Sequence, residues 1–433
     1  MDVKDIGSIK EELKTHISSP VLKKGGMNTL SEEFIPEKPV HRDRHILDLG
    51  KLIKELLELR ITGTVFLEGP SGTGKTMCFM TVKKILDELI FSEKLDGVIV
   101  YVRGRGKTVN QVLSEALKNL SNQRKERFSF GEAITALEKI SREKPVHVCI
   151  DEIDMVKSYS GGRNYAPSTV QDLLYYFSRT RNLSATIITN DFCFMDRLTD
   201  IRVRSSITKE RTILFEKYSL QQLVDIFSYR VSLAFNDGAV PKEVIRKLSE
   251  IVHETTGDVR QGLEILRFAA ILCAKEKKDV VDEEILRAAV ELRNTQAMID
   301  KIMALSDTHR VILASYYLCF RKSGKHEQTS QEIYDVYLDL VGRIGKKPLD
   351  QHSFRTKIWD LTTYGLLEQL RIGKGSRKGV ERLYRLTIPI VTLNEAILMD
   401  ATIAEHVKSM AREIVEARVR EARGSREKLE FTT

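Results

Sequence analysis

The chain has 433 residues, a length that predicts two or three domains, each with its own hydrophobic core. The hydrophobic fraction is 42% and no apolar run approaches the roughly 20 residues of a membrane span, so no membrane partner is expected. The five cysteines show no C-x-x-C spacing, which argues against a disulfide framework and a zinc site, whereas the net charge of +8 excludes no partner by itself.

The first 30 residues are predicted to form a loosely ordered arm, because they are polar and contain Pro20 and the pair Gly25 and Gly26. They also carry acids and lack the apolar stretch of a signal peptide. The sequence therefore predicts a protein that stays in the compartment where it is made.

Between residues 64 and 215, short apolar runs rich in β-branched residues alternate with helical patterns. This alternation predicts an α/β domain whose parallel sheet carries helices on both faces. The predicted strands are 64–68, 97–102, 146–150, 185–189 and 211–215, and the predicted helices lie near 75–90, 108–120, 131–142 and 167–181.

From residue 219 to residue 295 strand patterns are absent, which predicts a small all-helical domain. Its helical segments are approximately 219–235, 241–256, 259–276 and 282–293. A third pattern follows, in which three helices precede two strands joined by a basic turn, and this order is typical of a winged helix. The helices lie near 306–321, 328–342 and 350–364, the strands at 365–372 and 382–388, and the turn at 373–380.

The expected organisation has five parts along the chain. They are a flexible arm (1–30), an α/β core (31–218), a helical domain (219–298), a winged-helix domain (299–395) and a helical tail (396–433). The helix of the tail is predicted over 394–423, with the last ten residues frayed.

The segment from Gly69 to Thr76 reads GPSGTGKT and matches the phosphate-binding pattern G-x-x-x-x-G-K-[ST]. It follows a predicted strand and opens a predicted helix, which is the context that the pattern requires. In such a loop backbone N–H groups converge on phosphates, Lys75 supplies a charge, and the Thr76 hydroxyl reaches Mg²⁺. The alternative is a glycine-rich turn. The predicted nucleotide-binding residues are Gly69, Pro70, Ser71, Gly72, Thr73, Gly74, Lys75 and Thr76.

Two carboxylates follow the buried strand VHVCI, namely Asp151 and Glu152. Asp151 is predicted to hold Mg²⁺ together with Thr76, and Glu152 to be the base that polarises the attacking water. The alternative is a solvated acidic turn after a strand. The phosphate-binding loop about 75 residues upstream favours the catalytic interpretation.

Three further positions are candidate catalytic residues. Asn190 follows a strand and could reach the γ-phosphate, although Asn is also a common turn residue. Arg202, slightly preferred to Arg204, could complete the ATP site of a neighbouring subunit, or belong to a solvated basic surface. Arg260, in the segment GDVR, could face the nucleotide from the first turn of a helix that Asp258 caps, and the sequence alone favours an ordinary capped helix with an exposed Arg.

The predicted winged helix is strongly basic. Residues 341–390 hold eleven Lys or Arg and four acids, a net charge of +7 that is typical of a polyanion-binding surface. The spacing of Phe354, Ile358 and Leu361 predicts the buried face of the third helix, and Trp359 is expected to pack as well. The alternatives are a solvated face or a docking site for an acidic protein. The predicted DNA contacts are Gln351, His352, Ser353, Arg355 and Thr356 in the groove and Lys374, Arg377 and Lys378 on phosphates.

The order of these motifs resembles the AAA+ ATPases, and within them the archaeal and eukaryotic replication-initiator group of origin recognition and cell-division-cycle initiator proteins. Five stretches carry the resemblance, which covers roughly residues 30–390: EFIPEKPVHR, GPSGTGKT, DEID, TND with RVRSS, and GDVRQGLEILRFAA.

The resemblance implies a P-loop AAA+ core with an all-helical lid and a C-terminal winged helix. It implies that Asn190 is the first sensor, Arg260 the second and Arg202 the finger candidate. Residues that precede the P-loop would pack on adenine, and the candidates are Ile35, Pro36, Val40 and Arg42. An extra helical element that touches DNA in the family would fall near 121–131, which is short and polar here.

The resulting hypothesis is an ATP-dependent replication initiator that binds origin duplex DNA and helps recruit or load the replicative helicase. Its cofactors would be ATP or ADP and Mg²⁺, with ATP binding and slow hydrolysis as the switch. Paralogous initiator subunits would be further partners, and the location would be cytoplasmic and nucleoid-associated. The alternatives are an AAA+ ATPase that remodels a protein partner and an ATP-gated transcriptional regulator.

Overall fold

The computed structural model describes residues 20–120, 127–158, 169–206, 211–373 and 380–430. The chain forms two compact units that divide between Ala289 and Val290. Among the described residues, no helix combines the length and the apolar character that crossing a membrane requires. The domain boundaries that the sequence predicts stay a prediction.

The first unit begins with two helices and then alternates strands with helices. The elements are α1 (Gly26–Thr29), α2 (Asp43–Glu58), β1 (Gly63–Glu68), α3 (Lys75–Phe91), β2 (Val98–Arg103), α4 (Val109–Leu120), α5 (Phe130–Glu143), β3 (Val146–Asp151), a 3₁₀ turn (Ile153–Met155), α6 (Val170–Phe177), β4 (Leu183–Thr189), α7 (Ile201–Ser206) and β5 (Thr212–Leu214). Helices follow: α8 (Leu220–Ala234), α9 (Lys242–Thr255), α10 (Val259–Glu276) and α11 (Glu283–Met303), the last of which continues past residue 289.

The five strands form one parallel sheet in the order β2-β3-β4-β1-β5. Every residue of β3 and β4 is buried, as expected for central strands covered on both faces. Phe66 and Ile187 face α4, α5 and α6, whereas Val65 and Ile188 face α2 and α3. Alternate residues of each strand therefore enter opposite cores, which confirms the predicted three-layer α/β architecture.

Capping boxes define several helix starts. The side chains of Ser129, Thr169 and Ser219 each accept a hydrogen bond from the backbone N–H three residues later.

Two helix ends differ from the sequence interpretation. Helix α6 ends at Phe177 rather than near 181, and α11 runs to Met303 rather than 293, because no Gly or Pro interrupts it.

The second unit contains α12 (Asp307–Ser323), β6 (Glu327–Thr329), α13 (Ser330–Ile344), α14 (Gln351–Thr363), β7 (Leu367–Gly373), β8 (Val380–Leu386), α15 (Ile390–Met399) and α16 (Ala404–Glu430). Its antiparallel sheet has the order β6-β8-β7. Three helices followed by a hairpin confirm the predicted winged helix. The face of α14 that contains Phe354, Ile358 and Leu361 is buried, as its spacing predicts.

The residues after 395 join the core of this unit. Ile397, Ile403 and Val407 are buried in the same cluster as Phe354. Asp400 separates α15 from α16, and its Oδ2 accepts a hydrogen bond of 2.6 Å from Arg310 Nε. The predicted boundary at 395/396 therefore falls inside α15.

Candidate nucleotide site and nucleic-acid face

The phosphate-binding loop connects β1 to α3 at the carboxyl edge of the sheet. Gly72 and Gly74 have φ values of +74° and +92°, a region that side chains rarely adopt. A Cβ on Gly72 would lie 1.9 Å from Asp258 Oδ1, and one on Gly74 would lie 2.8 Å from the Tyr218 hydroxyl. The loop therefore requires glycine at both positions, and it leads into the N-terminus of α3, where anions are favoured.

Lys75 is folded back over this loop. It is 5% exposed, and its ammonium group donates to the carbonyls of Gly69 at 2.6 Å and Pro70 at 2.7 Å. Burial lowers the pKa of Lys75 to about 8, although the carboxylate of Asp151 works against that shift. An ammonium has three N–H donors, so one remains for a phosphate oxygen beside the two carbonyl bonds. The lysine thus suits a polyphosphate ligand.

Thr76 and Asp151 meet in front of the loop. The Thr76 hydroxyl donates to Asp151 Oδ2 at 2.7 Å, and the Glu152 backbone N–H donates to Oδ1 at 2.9 Å. Burial raises the pKa of the Asp151 carboxyl, against these hydrogen bonds. A hydroxyl oxygen beside a carboxylate oxygen is the type of ligand set that Mg²⁺ takes in nucleotide sites. The two residues predicted to hold Mg²⁺ are therefore adjacent.

Tyr101 belongs to the same network, and the sequence interpretation missed it. Its hydroxyl donates to Asp151 Oδ2 at 2.8 Å. Burial and the neighbouring carboxylate both raise the pKa of Tyr101, so it remains a donor. Tyr101 lies on β2, opposite Cys149 of β3.

Glu152 has a left-handed backbone conformation, and its carboxylate contacts two arginines. Its φ is +54°, which is uncommon for a residue with a side chain, and its side chain is only 13% exposed. Oε2 accepts a hydrogen bond of 2.8 Å from Arg103 Nε, and Oε1 lies 3.8 Å from Arg105 Nη1. The predicted base is therefore held by arginines from the end of β2, which the sequence interpretation did not identify.

Replacing Arg103 with alanine is expected to raise ATP hydrolysis. The Arg103 side chain is 55% exposed, so the ion pair contributes about 1 kcal/mol or less, equivalent to at most roughly a fivefold change in rate. Steady-state phosphate release measures the effect, and Arg105→Ala, which removes the longer contact, should change the rate less. A fall in rate for Arg103→Ala would show that the arginine supports the active geometry.

Asn190 lies at the end of β4, next to the acidic segment. Its backbone N–H donates to Asp154 Oδ1 at 3.2 Å, which joins the ends of β3 and β4. The structure thus brings Asn190 close to the Asp151 and Glu152 segment. A role for its side chain in sensing the γ-phosphate stays a prediction.

Arg260 reaches the phosphate-binding loop from the first turn of α10. Its Nη2 donates to Ser71 Oγ and, at 2.8 Å, to Asp258 Oδ2. Asp258 also caps the helix by accepting from the Arg260 backbone N–H at 2.9 Å, and Ser71 Oγ donates to Asp258 Oδ2 at 3.2 Å. The sequence alone favoured an exposed Arg260 without a ligand role. In the structure Arg260 instead contacts the phosphate-binding loop, in a cluster with Asp258 and Ser71.

Arg42 makes hydrogen bonds that hold the phosphate-binding loop. It is 4% exposed, and its guanidinium donates to the carbonyls of Thr73 at 2.9 Å and Glu216 at 3.0 Å. The guanidinium carbon also lies 4.0 Å from the centroid of the Tyr218 ring. Arg42 therefore fixes the loop, whatever further contact it makes with a nucleotide.

Three other residues were predicted to pack on adenine, and one of them, Ile35, lies beside α3. Ile35 is 39% exposed and lies beside Met80 and Lys83, while Pro36 and Val40 are half-buried. Contact between these three residues and adenine stays a prediction.

Arg202 is held within its own chain. Its Nε and Nη2 donate to the two carboxylate oxygens of Asp200 at 3.1 Å and 2.7 Å, and its guanidinium carbon lies 4.9 Å from the Tyr175 ring centroid. Arg204, on the same short helix, is exposed. Which arginine acts on a neighbouring subunit stays a prediction.

The predicted groove residues lie at the start of α14. Gln351, His352, Arg355 and Thr356 are exposed. Ser353 is half-buried, and its hydroxyl donates to the N-cap carboxylate of Asp350 at 2.9 Å. The predicted phosphate contacts Lys374, Arg377 and Lys378 lie outside the described residues.

Trp359 differs from the sequence interpretation. It was expected to pack against the core, but 59% of it is exposed. The buried stripe of α14 ends at Ile358 and Leu361, and the helical rotation of 100° per residue carries position 359 out of the core.

Family models match three segments of the chain. Residues 61–191 match an AAA domain, residues 224–291 match a Cdc6 AAA+ ATPase-type lid domain, and residues 300–396 match a CDC6 C-terminal winged helix domain. The three matches follow the order core, lid and winged helix.

Curated relatives and solved structures agree. The chain is 31% identical over 382 residues to ORC1-type DNA replication protein 1 of Archaeoglobus fulgidus, covering 86% of this chain and 90% of that protein. It is 28% identical over 354 residues to an ORC1-type DNA replication protein of Methanothermobacter thermautotrophicus, covering 82% and 90%. The fold is shared with the Aeropyrum pernix ORC1 protein solved in complex with DNA, at a TM-score of 0.72, 23% identity and coverage of 90% and 100%. It is also shared with the Aeropyrum pernix ORC2 protein solved in ADPNP-ADP complexes, at a TM-score of 0.52, 16% identity and coverage of 92% and 100%. With a P-loop, a lid and a winged helix in this order, the chain belongs to the AAA+ replication-initiator family of archaeal ORC1-type and Cdc6 proteins.

Proposed function

We propose that this protein is an ATP-dependent replication initiator that binds origin duplex DNA and helps recruit or load the replicative helicase. The observation that carries the proposal is that one chain contains both a P-loop that Arg260 contacts and a winged helix whose third helix, α14, has an exposed polar face. ATP binding and slow hydrolysis would act as the switch between two states of DNA binding.

The residues around the P-loop fit a Mg²⁺-bound nucleoside triphosphate. Bound Mg²⁺ would neutralise phosphate charge, with Thr76 and Asp151 as its ligands, directly or through water. Lys75 would hold phosphate oxygens, and Arg42 would keep the loop in shape. The solved ORC2 neighbour with ADPNP and ADP supports nucleotide binding by this fold.

Hydrolysis would depend on Glu152. A carboxylate that accepts a proton from water acts as a general base, and such a base contributes roughly 10²–10⁴ in rate. The carboxylate of Glu152 accepts a hydrogen bond from Arg103, so it is less available to accept a proton from water. This contact supports a slow basal rate of ATP hydrolysis. Asn190, held against Asp154, would help to orient the attacking water.

Arg260 would make the lid sensitive to the bound nucleotide. Its guanidinium bridges Ser71 of the loop and Asp258 of the lid, so a change in charge at the phosphates would act directly on this cluster. Arg202 would serve a neighbouring initiator subunit after release from Asp200.

Duplex DNA would bind at α14 and at the basic residues of the segment 374–378. Arg355 could pair with a guanine edge, while Lys374, Arg377 and Lys378 would take phosphates. The solved ORC1 neighbour in complex with DNA supports this use of the fold. Membership of the initiator family supports a contact with the replicative helicase as part of this proposal.

Fluorescence anisotropy of labelled duplex DNA over a series of salt concentrations tests the DNA proposal. The double variant Lys374→Ala/Arg377→Ala should weaken binding on all sequences and lower the salt slope by roughly one unit for each lost phosphate contact. Arg355→Ala should instead relax discrimination between sequences. Absence of binding at low salt, with and without ATP, would contradict the proposal and favour an ATPase that acts on protein.

A further inference from the structure

The outer face of α14 carries an exposed tryptophan, Trp359, that is not part of the hydrophobic core. Trp359 follows Arg355 by four residues and Thr356 by three, so the three side chains lie on one face of the helix. That face is the one proposed to enter the DNA groove. Trp359 is 59% exposed, in contrast to the buried Phe354 and Ile358 on the inner face.

The indole has few partners of its own. Within the part of the chain that the structure describes, its ring makes no aromatic or cation–π contact and its N–H donates no hydrogen bond. Tryptophan side chains are on average highly buried, and the N–H group of a buried indole usually donates a hydrogen bond. A large apolar side chain left open at a binding face is a common anchor for a partner.

The charged groups beside Trp359 in the sequence would not repel a polyanion. At the C-terminal end of α14, Lys301 Nζ donates to the Tyr364 carbonyl at 2.7 Å. Asp360, the next residue in the sequence, is paired with Lys357 at 3.0 Å and with His309 at 3.2 Å. The end of the helix is therefore held by a hydrogen bond, and its carboxylate is paired with Lys357 and His309, so Trp359 stands beside no unpaired acid of its own helix end.

We infer that Trp359 is a specificity-determining DNA contact whose indole packs against thymine methyl groups in the major groove, one helical turn beyond Arg355. The inference rests on the proposed DNA binding. The thymine methyl is the apolar group that base pairs present in the major groove, so an indole there distinguishes A·T from G·C. Arg355 and Trp359 would then read successive positions of one site.

The chain contains one tryptophan, so its fluorescence reports on Trp359 alone. Unlabelled duplex is added to the whole protein at low salt while acrylamide quenching is measured, and anisotropy of labelled duplex is followed in parallel. We expect duplex to protect the indole from acrylamide at the concentration that saturates the anisotropy. Full binding by anisotropy with unchanged quenching would overturn the inference and leave the proposed function standing, whereas absence of binding would remove both.

A second measurement tests thymine recognition. Trp359→Ala should raise the Kd for an A·T-rich duplex by roughly fivefold to tenfold, whereas Trp359→Phe should retain most of the affinity. Replacing thymine with deoxyuracil removes the methyl groups, so it should weaken wild type and leave Trp359→Ala unchanged. The control Val391→Ala truncates a residue that is 63% exposed on α15 and should bind like wild type. Equal sensitivity of wild type and Trp359→Ala to deoxyuracil would overturn the thymine assignment.

Discussion

Replacing Glu152 with glutamine is expected to lower ATP hydrolysis by roughly a hundredfold to a thousandfold, because glutamine has no basic oxygen to accept the proton of water. Nucleotide affinity should change by less than about twofold, since Lys75, Thr76 and Asp151 keep their contacts. Phosphate release under saturating ATP measures the first quantity, and binding of a fluorescent ADP derivative measures the second.

The matched control for this experiment is Glu55→Gln, the same chemical change on the exposed side of α2. It should hydrolyse ATP at the wild-type rate. A Glu152→Gln variant that keeps more than about a tenth of the activity would contradict the assignment of Glu152 as the base, because a general base contributes roughly 10²-fold or more.

Replacing Phe354 with alanine is expected to destabilise the winged-helix unit by about 3–5 kcal/mol, the usual cost of deleting a buried aromatic ring. Phe354 is 1% exposed and packs edge-on against Tyr334, with the two ring centroids 4.8 Å apart. The ring centroid of Tyr337 lies 5.0 Å from that of Phe354. Its removal leaves a cavity beneath the face of α14 that is proposed to read DNA. Urea unfolding followed by Trp359 fluorescence measures the loss.

Leu398→Ala is the control, because Leu398 is 43% exposed on α15 of the same unit. It should cost about 0.5 kcal/mol or less, as is usual for a surface substitution. A loss of less than about 1 kcal/mol for Phe354→Ala would mean that the core closes around the cavity.

Local chemistry explains why the sequence was informative about the fold and the phosphate site. The phosphate-binding loop, the acidic pair and the helix caps each depend on residues a few positions apart, so their patterns are visible in the chain. The strand predicted at residues 146–150 could be found because four of its five residues are apolar, and the strand is buried at every position from Val146 to Asp151. The helix at 259–276 begins where Asp258 caps it.

The contacts that the sequence did not reveal are nonlocal. Tyr101 and Arg103 reach Asp151 and Glu152 only because β2 pairs with β3 in a particular register. Strand order and register are set by packing of the whole sheet, and no short pattern encodes them. The exposure of Trp359 was missed for a related reason, because an apolar residue one position from a buried stripe can lie on either side of its edge.

Control of DNA binding by the bound nucleotide is tested by measuring the affinity for duplex DNA in two nucleotide states. Anisotropy titrations compare protein saturated with ADP and protein saturated with a nonhydrolysable ATP analogue, for wild type and for Arg260→Ala. We expect the wild-type Kd to differ by roughly fivefold or more between the two states, the usual range of allosteric coupling, and the variant to lose that difference. Equal affinity of the wild type in both states, with nucleotide occupancy verified, would contradict the ATP switch.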